Sequence, residues 1–364
     1  MKKHAQTLAG AAFGIALLIF LFKDTDWREV GHALRSVHWG WLVTSLLLVL
    51  VTFFTRVQRW SYIVRTAKPV SFRALFSATQ IGFLGNFVLP GRIGEIIRAV
   101  VLSHLAGLPF TRCFAFVALD RVTDLFGLIA VMGVALIFFR PEADIPLPPD
   151  ILDVVIPADI IQVATLWTMV FVAIILAGLG LLYFFQDRFV GIMHYVLRPL
   201  GRKISDKIEH FMRTFALGLH VFRSVGDMAR AVGYSLLTWA VGVLCYHAVL
   251  EAFGLAAHWY TSVLVMVFLA VAVSIPGAPG FVGQFHLAVV AAVLISDPGA
   301  DTNVARAAAL MAHLVNLVPV ALVGVYCLYT EKLGLLALRR ESAVLEEQAP
   351  EMETPGDGIS PGDR

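Results

Sequence analysis

Charge is scarce in this 364-residue sequence: Asp, Glu, Lys and Arg together supply 15% of it, against ~25% in soluble domains. With 59% apolar residues and a mean hydropathy of +0.80, a water-soluble globule would leave a large apolar area wet, so that class is excluded. The few charges are balanced, 28 Lys+Arg against 26 Asp+Glu, which argues against nucleic acid as a partner. Cysteine is nearly absent. Cys113, Cys245 and Cys327 each lie in an apolar run without metal-ligand spacing, so neither a disulfide framework nor a zinc site is expected. No Walker-type loop occurs, so ATP hydrolysis is not expected of this chain, and Gly277-x-x-Gly280-x-x-Gly283 lacks the strand context of a dinucleotide fingerprint. No nucleophile–base set is legible either, and no cofactor or metal is expected. What remains is an all-α polytopic membrane protein.

Runs free of charge mark the spans, because a bilayer core needs about 20 apolar residues of helix. They cover 4–22, 36–55, 74–91, 160–186, 231–250, 252–296 and 307–330, and 113–139 is as apolar except for Asp120, Arg121 and Asp124. The first run follows Lys2 and Lys3 but has no small-residue cleavage site before Phe22-Lys23-Asp24, which reads as a retained helix. Segment 56–73 carries Arg56, Arg59, Arg65, Lys68 and Arg73 with no acid, and 187–230 carries eight basic residues against four acidic ones. Segment 140–159 has one Arg against Glu142, Asp144, Asp150, Asp153 and Asp159. Basic loops stay in the cytoplasm, so both termini are expected inside, in a cell inner membrane. Within 187–230, Ile204, Ile208, Phe211, Phe215, Leu219 and Phe222 recur at helical spacing. This suggests an amphipathic helix on the inner leaflet or packed on the bundle. Residues 1–334 form the membrane domain, and 335–364, rich in Pro, Gly and acid toward its end, read as a largely disordered cytoplasmic tail.

Two interruptions resemble each other. Pro90-Gly91-Arg92-Ile93-Gly94-Glu95 and Pro279-Gly280-Phe281-Val282-Gly283-Gln284 share Pro-Gly-x-(Ile/Val)-Gly-(Glu/Gln), 189 residues apart. Pro and Gly break helices, and broken backbone persists at membrane depth only against protein or a wet cavity. The first break sits between cytoplasmic segments and the second between external ones, so each half, about 1–139 and 160–330, reads as spans around a broken, re-entrant hairpin. The expected architecture is about six full spans plus two such hairpins in an inverted-topology repeat, the arrangement that points to a transporter's central site. Arg121-x-x-Asp124 and His313-x-x-Asn316 echo each other after the hairpins.

Ionisable groups inside a span need partners. Asp120 and Asp124 share a helical face, with Arg121 in reach of Asp124. Asn86, Arg92, Glu95 and Arg98 gather around the first break, where the helix starting near Gly94 offers N–H groups to a phosphate and arginine offers a bidentate fork. The competing reading of these residues is an ion-pair network that pins helices together. Gly94 and Gly283 are expected to line one cavity from opposite sides, with Gln284 beside them. His286 and His313 are read as lone histidines, satisfied core donors in the first instance. Gly10-x-x-x-Gly14 permits close helix packing.

Taken in order, Asn86-x-x-x-Pro90-x-Arg92-x-Gly94-Glu95-x-x-Arg98, Asp120-Arg121-x-x-Asp124 and Pro276 to Gly283 resemble the lysylphosphatidylglycerol synthase transmembrane-region family over about residues 10–330. The resemblance implies a polytopic helical fold with a lipid-accessible cavity and a role in moving lipids between leaflets. There are two departures. The synthases continue into a soluble aminoacyl-transferase domain where this sequence has only a short tail, which implies a chain that does not itself make an aminoacyl lipid. Many members also carry Glu near the position of His286. The function expected is translocation of an anionic, aminoacylated, hopanoid or polyprenyl-linked lipid, with membrane lipids as partners and a lipid-modifying enzyme or a second copy as further candidates. The alternatives are an intramembrane enzyme on lipid head groups, using Glu95 or Asp120 as acid/base, and a non-transporting member of a lipid-synthesis complex. Impermeant thiol labelling should reach Arg65→Cys from the cytoplasm and Asp150→Cys from outside; the reverse pattern would invert the orientation.

Overall fold

The computed structural model describes residues 2–89, 93–140, 144–146, 154–160, 225–274 and 278–342, with scattered positions between 162 and 192. Almost all of it is helix: α1 Lys2–Phe22, α2 Trp27–Arg35, α3 Trp39–Val64, α4 Phe72–Val88, α5 Gly94–Ala106, α6 Phe110–Phe138, α7 Val225–Ala252, α8 Tyr260–Ser274, α9 Gln284–Ser296 and α10 Thr302–Thr330. Among the described residues, five stretches are long and apolar enough to cross a membrane, namely Trp39–Val64, Phe110–Phe138, Gly226–Ala252, Pro279–Ser296 and Thr302–Thr330. The fourth qualifies by joining the one-turn 3-10 element Pro279–Phe281, in which Gly280 has a φ of +68°, to α9 across Val282 and Gly283. The acidic segment after α6 carries a two-residue antiparallel pairing, Ile145 with Ile156 and Pro146 with Val155. The span expected over 160–186 and the amphipathic helix over 204–222 fall largely or wholly outside the described residues, as do Pro276 and the tail beyond 342.

Both interrupted hairpins form. α4 has 17 residues and α5 13; α8 has 15 and α9 13; and each hairpin leads into a 29-residue helix, α6 and α10. A 13-residue helix extends about 20 Å, too short for a ~30 Å core. Packing repeats as well as length. α4 lies on α5 and α8 on α9; α5 lies on α6 and α9 on α10. Across the halves, α4 packs on α10 as α8 packs on α6.

The halves meet along α3 and α7, which run antiparallel over their full length. From end to end, the His38 N–H donates to the Ala252 carbonyl (3.0 Å), Ser45 Oγ to the Cys245 carbonyl (2.9 Å), Thr238 Oγ1 to Thr55 Oγ1 (2.8 Å), and Arg65 pairs with Asp227. Opposed directions for equivalent helices are what a two-fold axis in the membrane plane produces. In apolar surroundings these hydroxyl and carbonyl bonds hold helices that have little hydrophobic reason to associate.

Two boundaries differ from the charge-based reading. Segment 56–73 is not all loop: α3 continues to Val64, so Arg56 and Arg59 are helical and Arg59 is fully buried. Likewise α7 starts at Val225 and takes in Asp227, which holds Arg65 and Arg230. Loop charge locates a membrane face only where the charges lie in the loop, and here several of them are inside helices.

The two motif glycines are points of backbone contact. A Cβ on Gly94 would run into the Gly82 carbonyl and the Asn86 side chain, and one on Gly283, with φ +86°, into the Gly14 carbonyl of α1. Gly14 in turn lies against Ala278 and the Val282 carbonyl, so α1 packs on the second break at this glycine. Gly283→Leu would combine left-handed backbone strain of about 1–2 kcal/mol with overpacking of about 1–3 kcal/mol. Its detergent-solubilised protein should therefore unfold at clearly lower temperature than wild type, whereas Gly133→Leu on α6, which meets no atom within 4 Å, should not. Equal melting of the two variants would show that α1 does not rest on the break.

Candidate functional site

Asp120 is the centre of a charged network buried between α3, α5 and α6. Its Oδ1 accepts from Arg59 Nε at 2.8 Å and its Oδ2 from Arg98 Nη1 at 2.7 Å and Arg121 Nη2 at 3.3 Å. One turn on, Asp124 accepts from Arg59 Nη1 at 2.5 Å, from Trp239 Nε1 of α7 at 2.9 Å, and pairs with Arg121 at 3.3 Å. Arg121 also faces Glu95 at 3.8 Å. Arg59, Arg98 and Asp120 are at most 2% exposed, while the Arg121 side chain is 39% exposed. The network thus has a sealed inner part and an open rim. Helical spacing builds it: Asp120 and Asp124 project from one face of α6, and Glu95 and Arg98 from one face of α5.

The inner arginines are also packed. Arg98 lies over the Trp60 ring, 3.7 Å from its centroid, a cation–π contact that strengthens when desolvated. Arg59 Nη2, Arg98 Nε and Nη2, and Arg121 Nε are buried without an acceptor. Two carboxylates bonded by three guanidinium groups leave more N–H donors than oxygens can take up.

The first break is closed by its own side chain. Asn86 Oδ1 accepts from the Gly94 N–H at 2.8 Å, capping α5 from α4 and taking up one of the free donors expected for a phosphate. Arg92 lies outside the described residues. At the second break Gln284 donates to the Ala272 carbonyl at 3.2 Å, tying α9 to α8.

His286 and His313 are not isolated from each other. Their rings meet edge to face at 4.8 Å, with Phe285 stacked on His313 at 4.7 Å. His313 Nε2 donates to the Gly280 carbonyl at 2.8 Å, and His286 Nδ1 accepts from the Gly283 N–H at 3.3 Å. Both therefore brace the broken backbone, and their separation of 27 positions in sequence hid the contact. Among the described residues no group of three or more His, Cys, Asp or Glu has metal-binding geometry. Asn316 donates to the Ala312 carbonyl at 2.9 Å. The predicted residues thus form two groups, Glu95, Arg98, Asp120, Arg121 and Asp124 beside the first break, and Gln284, His286, His313 and Asn316 beside the second. Phe87 and Phe281 bring the breaks into contact, edge to face at 5.7 Å.

The residue missing from the sequence-based set is Arg59. Its signal was present: Phe53, Val57, Trp60, Ile63 and Val64 continue the helical apolar stripe past position 55. Removing one member of a buried ion pair costs about 3–5 kcal/mol, because the other charge stays buried and unpaired. Arg59→Gln should therefore destabilise the protein more than Arg121→Ala, which leaves Asp124 with Arg59 and Trp239. Thermal unfolding in detergent measures the order, and equal losses would remove Arg59 from the centre of the network.

The comparisons with known proteins agree with this architecture. A family model described as the lysylphosphatidylglycerol synthase TM region matches residues 7–324. A Haloferax volcanii protein named glycosyltransferase AglD is 27% identical over 374 aligned residues, taking in 97% of this chain and 58% of the relative, so this chain spans little more than half that protein's length. A Methanothermobacter thermautotrophicus protein named UPF0104 membrane protein is 23% identical over 82% of this chain and 87% of its own length. With the family model covering most of the helical bundle, this membrane protein belongs to the lysylphosphatidylglycerol synthase transmembrane-region family.

Proposed function

We propose that the protein moves an anionic lipid between the leaflets of the cell's inner membrane. The observation that carries this reading is the charged network of Arg59, Glu95, Arg98, Asp120, Arg121 and Asp124, placed beside a helix break that touches its counterpart from the other half. Charges are costly at membrane depth, and interrupted helices at matched positions of opposed halves are the arrangement from which alternating-access carriers build a midplane site. The half-open rim formed by Arg121 and Glu95 gives such a head group an approach, while Asp120 fixes the arginines behind it.

A second reading comes from the relative named a glycosyltransferase: the helical portion would serve head-group chemistry, directly or beside an enzyme. It is the weaker one, because the acids expected for catalysis, Glu95 and Asp120, already pair with arginines.

Purified protein in liposomes carrying a fluorescent phosphatidylglycerol analogue in both leaflets decides between them. A membrane-impermeant quencher should remove about half the signal from protein-free vesicles and nearly all of it from vesicles with protein. Arg121→Gln should slow that loss at least about tenfold, consistent with removal of a charged hydrogen bond. Quenching that stops at half with wild-type protein, across lipids of several head groups, would sink translocation and favour the second reading.

A further inference from the structure

The two histidines at the second break have opposite surroundings. His286 and His313 are each 4% exposed, and their rings meet edge to face at 4.8 Å. His286 is the third residue of α9, and its Nδ1 accepts from the Gly283 N–H at 3.3 Å. A proton on that nitrogen would set one N–H against another and place a cation at a helix N-terminus, where the dipole disfavours it. His313 is arranged the other way. Its Nε2 donates to the Gly280 carbonyl at 2.8 Å, so in the neutral ring Nδ1 carries the lone pair. A proton added to Nδ1 leaves the Gly280 bond in place and strengthens it, because a charged donor makes the stronger bond. Phe285, stacked on the His313 ring at 4.7 Å with 24° between planes, offers the resulting imidazolium an aromatic face.

The pair stands apart from the charges of the molecule. α8 and α9 carry no Asp, Glu, Lys or Arg, and α1 meets His286 with Phe22 at 6.2 Å. Within α10, Arg306 is taken up by the Leu21 carbonyl. Of the helices packed on α10, α4 presents Phe87 to the break and pairs Arg73 with Glu331 at its far end. On α3, Arg59 is held by Asp120 and Asp124, and Arg56 lies over Phe83. α2 bonds Glu29 to Asn303. α7 sets Tyr246 against Phe285 at 6.3 Å and pairs Asp227 with Arg65 and His247 with Glu251. The histidines are thus the titratable groups at the break, and two rings this close take up one proton, not two.

We infer that His313 is a proton-binding site that couples lipid movement to proton movement, one proton travelling with each anionic lipid. The proton adds to the Nδ1 lone pair and leaves from the same atom, and no other bond forms or breaks. The Gly280 carbonyl anchors the ring, as unwound carbonyls hold coupling ions in carriers with interrupted helices. Because the breaks touch through Phe87 and Phe281, a phosphate beside the first and an imidazolium beside the second share one low-dielectric interior and favour each other. That mutual preference is the coupling free energy, and the joint transfer carries no net charge. Burial keeps the ring from water, so the proton exchanges only as the break opens. This rests on the translocation reading.

The test uses full-length protein in liposomes with a trace of fluorescent phosphatidylglycerol and a lumen about one pH unit more alkaline than the bath. At equal pH the label should divide evenly between leaflets. Under the gradient, one proton per lipid should enrich it about tenfold in the inner leaflet, read by a quencher pulse shorter than the flipping half-time. His313→Gln, whose amide still donates to Gly280 but takes no proton, should flip lipid and divide it evenly. His286→Gln, whose amide oxygen still accepts from Gly283, should keep the enrichment. Even division by wild type under the gradient, or enrichment by His313→Gln, would overturn the proposal. Nitrogen NMR of histidine-labelled wild type needs no transport and serves where His313→Gln fails to fold. As pH falls from about 8 to about 4, the buried histidine resonance that persists in His286→Gln should reach the doubly protonated form while His286 stays neutral. Phosphatidylglycerol should favour that uptake about tenfold over phosphatidylcholine, measured relative to exposed His104, since coupling is reciprocal. A His313 that stays neutral, or uptake indifferent to the lipid, would equally overturn the site. A wild type that shows lipid-dependent protonation but never flips refutes translocation alone, and one that flips evenly under every gradient refutes the proton alone.

Discussion

Everything near the centre of this protein depends on Asp120 holding two buried guanidinium groups, those of Arg59 and Arg98. Neither arginine could stay inside a bilayer without that carboxylate, and the carboxylate could not stay without them. Because the three residues come from α3, α5 and α6, the same pairing fixes how the first hairpin sits against its two flanking spans. The half-open Arg121 and Glu95 at the rim owe their placement to this inner pair. On the proposed function, stability and recognition would draw on one set of charges, so a structural and a functional account of these residues do not exclude each other.

The second half solves the same geometric problem with almost no charge. Where the first break is capped by Asn86 and backed by ion pairs, the second is braced by His286 and His313 on backbone atoms, by Gln284 across α8 and α9, and by α1 packed against Gly283. The two halves thus keep similar helix lengths and the same pattern of partners with different interiors. On the proposed function, such an asymmetric interior would suit a two-ended molecule, with a charged head group on one side and an apolar path on the other.

The architecture was legible because bilayer spans and helix breaks are written locally, in uncharged runs and in Pro-Gly motifs. Asp120, Arg121 and Asp124 stood out because they interrupt an apolar run. Arg56 and Arg59 did not, because they adjoin Arg65, Lys68 and Arg73 and were absorbed into a basic loop; only the continuing stripe of Val57, Trp60 and Ile63 marked them as helical. The His286–His313 contact had no sequence signal at all, since it arises from how α9 folds back on α10. The cavity-lining role expected of Gly94 and Gly283 met a different constraint: what those positions need is room for another backbone, Gly82 in one case and Gly14 in the other.

The contact of Phe87 with Phe281 has a consequence for the membrane's electrical insulation. Two phenyl rings meeting edge to face present neither donor nor acceptor, so water finds no hydrogen-bonding partner where the two halves touch. A dry contact at that point favours insulation beside a charged network that would otherwise draw water toward it.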